Sequence, residues 1–156
     1  MDEPALSVAD IVAAAQADDD SFRAYTTRRG TRPQGLVTLA DVASRTNAGE
    51  DFFFCAREHL SALTLVPVGD RVALVADRPP DVADDVAQAY LGALAEHTCA
   101  AAGVAPPAWA LERDRFLDRM WFGTDTPGLE PWCLVESPAA FRRRGLFITR
   151  GRLERV

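Results

Sequence analysis

Three consecutive arginines, Arg142, Arg143 and Arg144, are the residues of this sequence best suited to binding an anion. A guanidinium group donates several hydrogen bonds in a plane that matches a carboxylate or a phosphate. The arginines lie between Ser137, a candidate helix cap, and Gly145, a candidate helix end, so they occupy the last turn of a predicted short helix. Cations there favour the negative end of the helix dipole. Because three successive residues point in three directions, we expect at least one arginine to be free for an acidic or phosphate-bearing partner.

Other residues with catalytic potential do not form a recognisable site. Aspartates recur at helical spacing, with Asp114 near Asp118 and Asp81 near Asp84 and Asp85. No histidine accompanies them, and such pairs are usually solvated helix faces. The sequence also lacks a phosphate-binding loop, a GxGxxG motif and a nucleophile elbow. We therefore predict a protein that is not an enzyme and that uses no metal ion and no cofactor.

The composition indicates a folded chain of the cytoplasm. Hydrophobic residues make up 48% of the sequence and charged residues 26%, which is enough apolar material for a sizeable core. No stretch approaches the roughly 20 apolar residues that cross a membrane. The N-terminal stretch MDEPALSVAD lacks the basic start of a secretory signal, and the three cysteines are widely spaced, as is typical of reduced thiols.

Charge is distributed unevenly along the chain. The formal net charge is -6, and all 17 basic residues are arginine. Residues 1–103 contain 8 arginines against 16 acidic residues, whereas residues 104–156 contain 9 against 7. A non-specific nucleic-acid-binding protein needs a clear basic surplus. This balance therefore disfavours that class.

The front half has the element order of a winged helix-turn-helix module, which we place at residues 1–78. Thr38 can cap a short helix with Leu39, Val42 and Ala43 on one face. The stretch TNAG is then a turn, and the stretch EDFFFCAREHLSAL predicts a second helix. Two helices joined by a short turn are the core of a helix-turn-helix motif.

A small β-hairpin is the predicted wing of this module. Within residues 64–76, the β-rich stretches TLVPV and RVALVA are joined by Gly69 and Asp70, which favour a tight turn. The alternative is a helix capped by Asp70, which would leave the module all-α. The sequence leaves both open.

The front half also contains the arginines that could contact DNA phosphates. These candidate DNA-binding residues are Arg28, Arg29, Arg32, Arg45, Arg57 and Arg71. The stretch TLADVASRT resembles the first helix of bacterial helix-turn-helix regulators. However, the second helix starts with EDFFF, whose acids face phosphate unfavourably and whose phenylalanines read base edges poorly. The module is interpreted equally well as a protein-binding or folding unit.

The back half predicts a helical module at residues 79–156, after a boundary at the proline pair of residues 79–80. Asp81 is the expected cap of a long helix that ends at Gly103. The stretch ERDRFLDRMWF, residues 112–122, predicts another helix. The fold class is therefore mainly α (α+β), and whether the two modules pack as one globule is left open.

The last third of the chain resembles a known group of proteins. The stretches RFLDRMWF and LVESPAAFRRRGLFITRGRLERV, within residues 107–156, are similar to the C-terminal region of small actinobacterial antitoxin-like proteins. Met120 stands where that pattern usually has proline. Many of these proteins carry a helix-turn-helix, and they are typically encoded beside nucleotidyltransferase-like proteins. The resemblance implies an antitoxin that binds and masks a nucleotidyltransferase-like toxin.

We assign partner binding to the aromatic and arginine-rich back half. The predicted contacts are Phe116, Trp121, Phe122, Trp132, Arg142, Arg143 and Arg144. Any single tryptophan is more often a core residue than an exposed anchor, but three in a short span favour at least one exposed anchor. The alternative is a stand-alone DNA-binding regulator of the winged-helix type. The two roles can coexist, since antitoxins often repress their own operon, and a homodimer fits either.

Overall fold

The computed structural model of the protein describes residues 35–154, and these residues are mainly helical, as the sequence predicts. The α-helices are α1 (Leu39–Asn47), α2 (Phe52–Thr64), α3 (Asp85–Ala101), α4 (Glu130–Glu136) and α5 (Ala139–Arg142). Short 3-10 helices span Val68–Leu74, Ala108–Leu111, Arg113–Arg115 and Arg150–Arg152. Two strands of two residues each, β1 (Trp121–Phe122) and β2 (Leu146–Phe147), pair in parallel.

The described residues from Leu36 onward form one compact unit around a shared hydrophobic core. Leu39 and Val42 of α1 belong to the same buried cluster as Phe141 and Ile148 near the other end of the chain. Segments on both sides of residues 79–80 therefore contribute to one core. The division into modules at that point stays a prediction.

Helices α1 and α2 are joined by a four-residue turn and pack against each other. Thr38 caps α1 as predicted: its hydroxyl accepts from the Asp41 amide at 3.2 Å, and its own amide donates to the Asp41 carboxylate at 2.9 Å. Leu39, Val42 and Ala43 are fully buried, which confirms the predicted face. In the turn, Gly49 has φ +103°, a conformation that favours glycine.

The predicted β-hairpin is wrong for residues 64–76. The chain instead forms the 3-10 helix Val68–Leu74, so the winged part of the predicted winged helix-turn-helix is absent from the described residues. Local hydrogen bonds decide the outcome, because the Pro67 carbonyl accepts from the Asp70 amide at 2.9 Å and the Arg71 amide at 3.2 Å. Arg71 Nε also donates to the Val66 carbonyl at 2.9 Å. The structure is thus nearer to the helical alternative, although Asp70 does not cap it.

Helix α3 is the central element of the unit. Every residue in 87–95 is buried, because other elements pack around the helix on all sides. Its cap is Asp84, whose carboxylate accepts from the Ala87 amide at 2.7 Å, and not the predicted Asp81. Gly92 allows close packing: a Cβ there would lie 3.0 Å from Arg115 Cβ and 3.2 Å from the Ala110 carbonyl oxygen.

The helix predicted over residues 112–122 does not form. After the 3-10 helix Arg113–Arg115, the chain becomes extended and pairs with the segment that follows α5. The Leu117 amide donates to the Arg144 carbonyl at 3.1 Å, and the Trp121 amide donates to the Gly145 carbonyl at 2.8 Å. A distant backbone partner therefore replaces the local helical hydrogen bonds.

The three cysteines, Cys55, Cys99 and Cys133, are all buried free thiols. Burial raises the pKa of each thiol, so each stays protonated near neutral pH. Within residues 35–154, no helix has the length and apolar character needed to cross a membrane.

Candidate partner-binding surface

Helix α4 exposes an unusual amount of apolar surface. Of its seven residues, Cys133 alone is buried. Trp132 is 59% exposed, Leu134 43% and Val135 75%. We call these three side chains the α4 patch. Trp132 and Val135 are three residues apart and therefore share one side of the helix, and Leu134 precedes Val135 directly.

Hydrogen bonds hold the end of α4, the helix that carries the α4 patch, to the C-terminal segment. The Ser137 hydroxyl donates to the Leu146 carbonyl and accepts from the Ile148 amide, both at 3.1 Å. The Glu136 carboxylate accepts from the Arg150 amide at 3.0 Å. Ser137 therefore ties α4 to the C-terminal segment and does not cap α5, which is a correction to the predicted helix cap. The patch is presented in a fixed orientation.

Two exposed arginines lie next to the patch. Arg142 and Arg150 line a groove of about 480 Å³ together with Val135 and Glu136. Neither guanidinium has an ion pair within the described part of the chain. Glu136 and Glu154 also line the groove, so its two arginines are balanced by two carboxylates beside the apolar Val135. Arg142 is the member of the predicted arginine triplet that is free for a partner.

Arg144 has a different role from the one predicted. It is 0% exposed, and its guanidinium forms an ion pair with Glu96 on α3. It also donates to the carbonyl oxygens of Ala110 and Ala140, each at 2.7 Å. A partner protein cannot reach this side chain without opening the core, so Arg144 is corrected from a surface contact to an internal one.

Arg143 is intermediate between these two cases. Its guanidinium is half-exposed and lies 2.8 Å from the Glu96 carboxylate, which Arg144 also contacts. Both guanidinium groups lie over the Phe116 ring, with their central carbons 5.7 Å (Arg143) and 4.7 Å (Arg144) from its centroid. Phe116 therefore supports the arginine cluster as a partly buried platform.

The remaining predicted aromatic anchors are partly buried. Trp121 stacks on Phe53 of α2, with ring centroids 5.9 Å apart and an interplanar angle of 8°. Phe122 stacks on Phe147 across the two-stranded sheet at 5.3 Å. Trp132 is thus the predicted aromatic residue with a largely free surface. The structure places the exposed anchor on α4 and the other aromatic rings in contacts within the unit.

The predicted DNA-binding arginines are only partly described. Arg28, Arg29 and Arg32 lie outside the described residues. Arg45 forms ion pairs with Glu50, at 2.5 Å, and with Glu58. These hydrogen bonds raise the pKa of Arg45 and lower that of Glu50.

The other two members of that set lie on α2 and after it. Arg71 uses its Nε for the Val66 carbonyl. Arg57 is exposed on α2 and has no ion pair within the described residues. The exposed face of α2 also carries Phe54, which is 50% exposed. Of the predicted arginines on α1 and α2, Arg57 alone is without an ion pair among the described residues, which is fewer free cations than duplex DNA favours.

A polar cleft of about 920 Å³ lies beside the start of α3 and brings together the predicted aspartates. Asp81, Asp85, Asp114 and Asp118 line it. The Gln88 side chain bridges two of them, donating to Asp81 at 3.1 Å and to Asp114 at 3.0 Å. Among the described residues, no group of three His, Cys, Asp or Glu side chains could hold a metal ion. The prediction that the chain is not an enzyme stays a prediction.

Sequence reasoning missed several residues that shape this surface. Val135, Leu134 and Arg150 were not predicted contacts, although the pattern of three apolar residues around one cysteine in PWCLV could have indicated an exposed helix. Buried Arg115 was also missed. It lies over the Trp109 ring at 5.2 Å and 3.5 Å from Asp81.

Comparisons of the chain with protein-family models, with curated proteins and with solved structures gave no match. The α4 patch and the arginines beside it are therefore the features from which a function is proposed.

Proposed function

We propose that this chain is an antitoxin-like regulatory protein that binds a partner protein through the α4 patch and masks it. The observation that carries this proposal is the exposure of Trp132, Leu134 and Val135 on one anchored seven-residue helix. Contiguous exposed apolar patches mark interaction sites in soluble proteins. Tryptophan is also the residue type most enriched among the residues that dominate binding energy.

The charges beside the patch indicate the chemistry of the partner. Arg142 and Arg150 line the same groove as Val135, together with Glu136 and Glu154. A partner with an apolar pocket for Trp132 and both carboxylates and basic groups at its rim would match this arrangement. The resemblance of residues 107–156 to antitoxin-like proteins supports a nucleotidyltransferase-like toxin as that partner.

Masking requires only that the complex covers the partner's active site, so this chain needs no chemistry of its own. Inhibition would then be stoichiometric and reversible. We place the complex in the cytoplasm, where the buried free thiols stay reduced. A homodimer is compatible with this role.

Replacing Trp132 with alanine is the sharpest test of the proposed surface. We expect the affinity for the proposed nucleotidyltransferase-like partner to fall at least about 30-fold, since a central interface tryptophan contributes about 2 kcal/mol or more. Isothermal titration calorimetry with the two purified proteins measures this change. Arg142→Ala should weaken binding less, by about tenfold or less, because rim charges contribute little.

Leu65→Ser is the matched control for Trp132→Ala. Leu65 is 72% exposed but lies at the end of α2, outside the α4 patch. We expect the affinity of the Leu65→Ser variant for the partner to stay within about twofold of the wild-type affinity, as for surface residues outside an interface. Equal affinity of Trp132→Ala and wild type would refute the assigned surface, and absence of binding by the wild type would refute the partner.

A DNA-binding regulator is the second candidate function. The observation that favours it is the α1–α2 pair, in which a four-residue turn with Gly49 joins two helices. Against it stand the neutralised Arg45 and the exposed Phe54 on α2. An electrophoretic mobility shift assay with the DNA upstream of this gene tests this second function: absence of a specific shift refutes it, and a shift that Trp132→Ala leaves intact supports α2 as the contact.

A further inference from the structure

A second cleft, unrelated to the α4 patch, lies between α2 and the 3-10 helix Arg150–Arg152. It has a volume of about 240 Å³. One face of α2 supplies four of its lining residues, Phe53, Ala56, Arg57 and Leu60, at the spacing of a single helical face. Tyr90 of α3 forms part of the wall, and Gly151 and Arg152 close the other side.

The cleft has a net positive charge. Arg57 and Arg152 line it, and no acidic residue does. Neither arginine has an ion pair within the described residues. This distinguishes them from Arg45, Arg78, Arg113, Arg115, Arg143 and Arg144, each of which contacts a carboxylate. Two free guanidinium groups that share one recess are suited to an anion.

Arg152 is also held in a defined position. Its guanidinium carbon lies 5.2 Å from the centroid of the Phe53 ring. Phe53 in turn stacks on Trp121 and packs edge-on against Phe52. An arginine that rests on an aromatic ring keeps its planar donors available for a ligand.

Tyr90 contributes a polar atom to the cleft. The residue is 2% exposed, its hydroxyl makes no hydrogen bond within the described part of the chain, and this oxygen is not among the side-chain atoms there that are fully buried without a partner. The hydroxyl is therefore accessible to solvent and available to a ligand in the cleft. Burial raises the pKa of Tyr90 to about 12, while the nearby Arg152 charge lowers it, so the hydroxyl is a donor at neutral pH and lies within electrostatic reach of Arg152.

We propose that this cleft binds a phosphate group, with Arg57 and Arg152 contacting its oxygens and Tyr90 donating its hydroxyl. Two unpaired positive charges match the charge of about -1.5 to -2 on a phosphate monoester at neutral pH better than the single charge of a carboxylate. The volume holds a phosphate and the first part of an attached group. The ligand class is a phosphate ion or a small phosphate monoester.

The test uses the full chain and three probes at constant ionic strength: inorganic phosphate, ribose 5-phosphate and duplex DNA. Isothermal titration calorimetry measures affinity. We expect saturable binding of inorganic phosphate or ribose 5-phosphate. Arg57→Gln and Arg152→Gln should each weaken it at least about tenfold, and Tyr90→Phe about two- to tenfold, as expected for charged and neutral hydrogen bonds.

Arg142→Gln is the matched control, because Arg142 is an exposed arginine without an ion pair that lies outside the cleft. Its phosphate affinity should equal that of the wild type, and so should that of Trp132→Ala. A tighter affinity for ribose 5-phosphate supports the site with a monoester as ligand, and a tighter affinity for inorganic phosphate supports it with the free ion. If neither inorganic phosphate nor ribose 5-phosphate binds saturably, the proposal is overturned. It is also overturned if duplex DNA is the one probe that binds.

Arg57 is exposed, so we expect Arg57→Gln to keep the fold. The test therefore remains valid even if replacing the more buried Tyr90 disturbs folding. Unchanged phosphate affinity in Arg57→Gln and Arg152→Gln also overturns the assignment. The cleft and the α4 patch share no residue. Absence of phosphate binding would therefore overturn the phosphate site and would not count against partner binding, which the Trp132→Ala experiment tests separately.

Discussion

Replacing Arg144 with alanine is expected to lower the free energy of unfolding by about 3–5 kcal/mol, because two buried carbonyl oxygens lose their charged donor and a cavity opens, although Glu96 keeps its ion pair with Arg143. Arg144 is 0% exposed and pairs with Glu96. Its guanidinium also satisfies the carbonyl oxygens of Ala110 and Ala140. The alanine variant leaves these acceptors without a donor and opens a cavity beside Phe116.

Urea unfolding followed by circular dichroism measures this change, and Arg142→Ala is its control. Arg142 is exposed and has no ion pair in the described residues, so its replacement should change stability by no more than about 0.5 kcal/mol. The two arginines are two positions apart and identical in type. A loss of less than about 1 kcal/mol in Arg144→Ala would contradict the internal role.

Acidification is expected to destabilise the fold through His59. This residue is 0% exposed on α2, and its Nδ1–H donates to the Val37 carbonyl at 2.7 Å. Its Nε2 is buried without a partner among the described groups. Burial lowers the pKa of His59 from 6.5 to about 4, because the charged ring would lie in an apolar environment.

The lowered pKa fixes the direction of the pH dependence. The unfolded chain binds a proton at His59 below about pH 6.5, whereas the folded chain does so only below about pH 4, so stability falls as the pH drops through this window. The expected loss is about 2 kcal/mol between pH 7 and pH 5 and approaches about 3 kcal/mol at pH 4. Burial also lowers the pKa of His97, which adds a change of the same sign.

Unfolding free energies of wild type and His59→Leu, measured from pH 7 to pH 5, test this prediction. The chain has only two histidines, so the variant should retain only the slope that His97 contributes. Carboxylates titrate mostly below this range. Identical slopes in the two proteins would exclude His59 as the cause.

The helices could be predicted from sequence where local signals suffice. Thr38 and Asp51 cap α1 and α2 through side chains that bond to amides three residues ahead, and the apolar spacing after them identifies the buried faces. The long central helix was predicted for the same reasons. Its start was misplaced because Asp81 and Asp84 are both acceptable caps, and Arg78 and Gln88 engage Asp81 instead.

Features that depend on distant partners could not be predicted. Residues 112–122 have helical spacing, yet Trp121 pairs with Leu146 in a parallel register that no local pattern encodes. Arg144 has the sequence context of an exposed helix end, and only the position of Glu96, 48 residues earlier, makes it internal. For the same reason the sequence identified three tryptophans but could not indicate that Trp132 is the exposed one.

The three free cysteines can report on local unfolding of the protein. Cys55, Cys99 and Cys133 lie on α2, α3 and α4, one on each, and all are buried. A thiol that is shielded in the native state reacts with an alkylating reagent only when its surroundings open. Cys133 is the sole buried residue of α4, so its labelling rate reports detachment of that helix, whereas Cys99 in the central helix reports opening of the whole unit. The rates at which the surface helix and the core open can therefore be measured separately in the natural sequence, without introducing a probe.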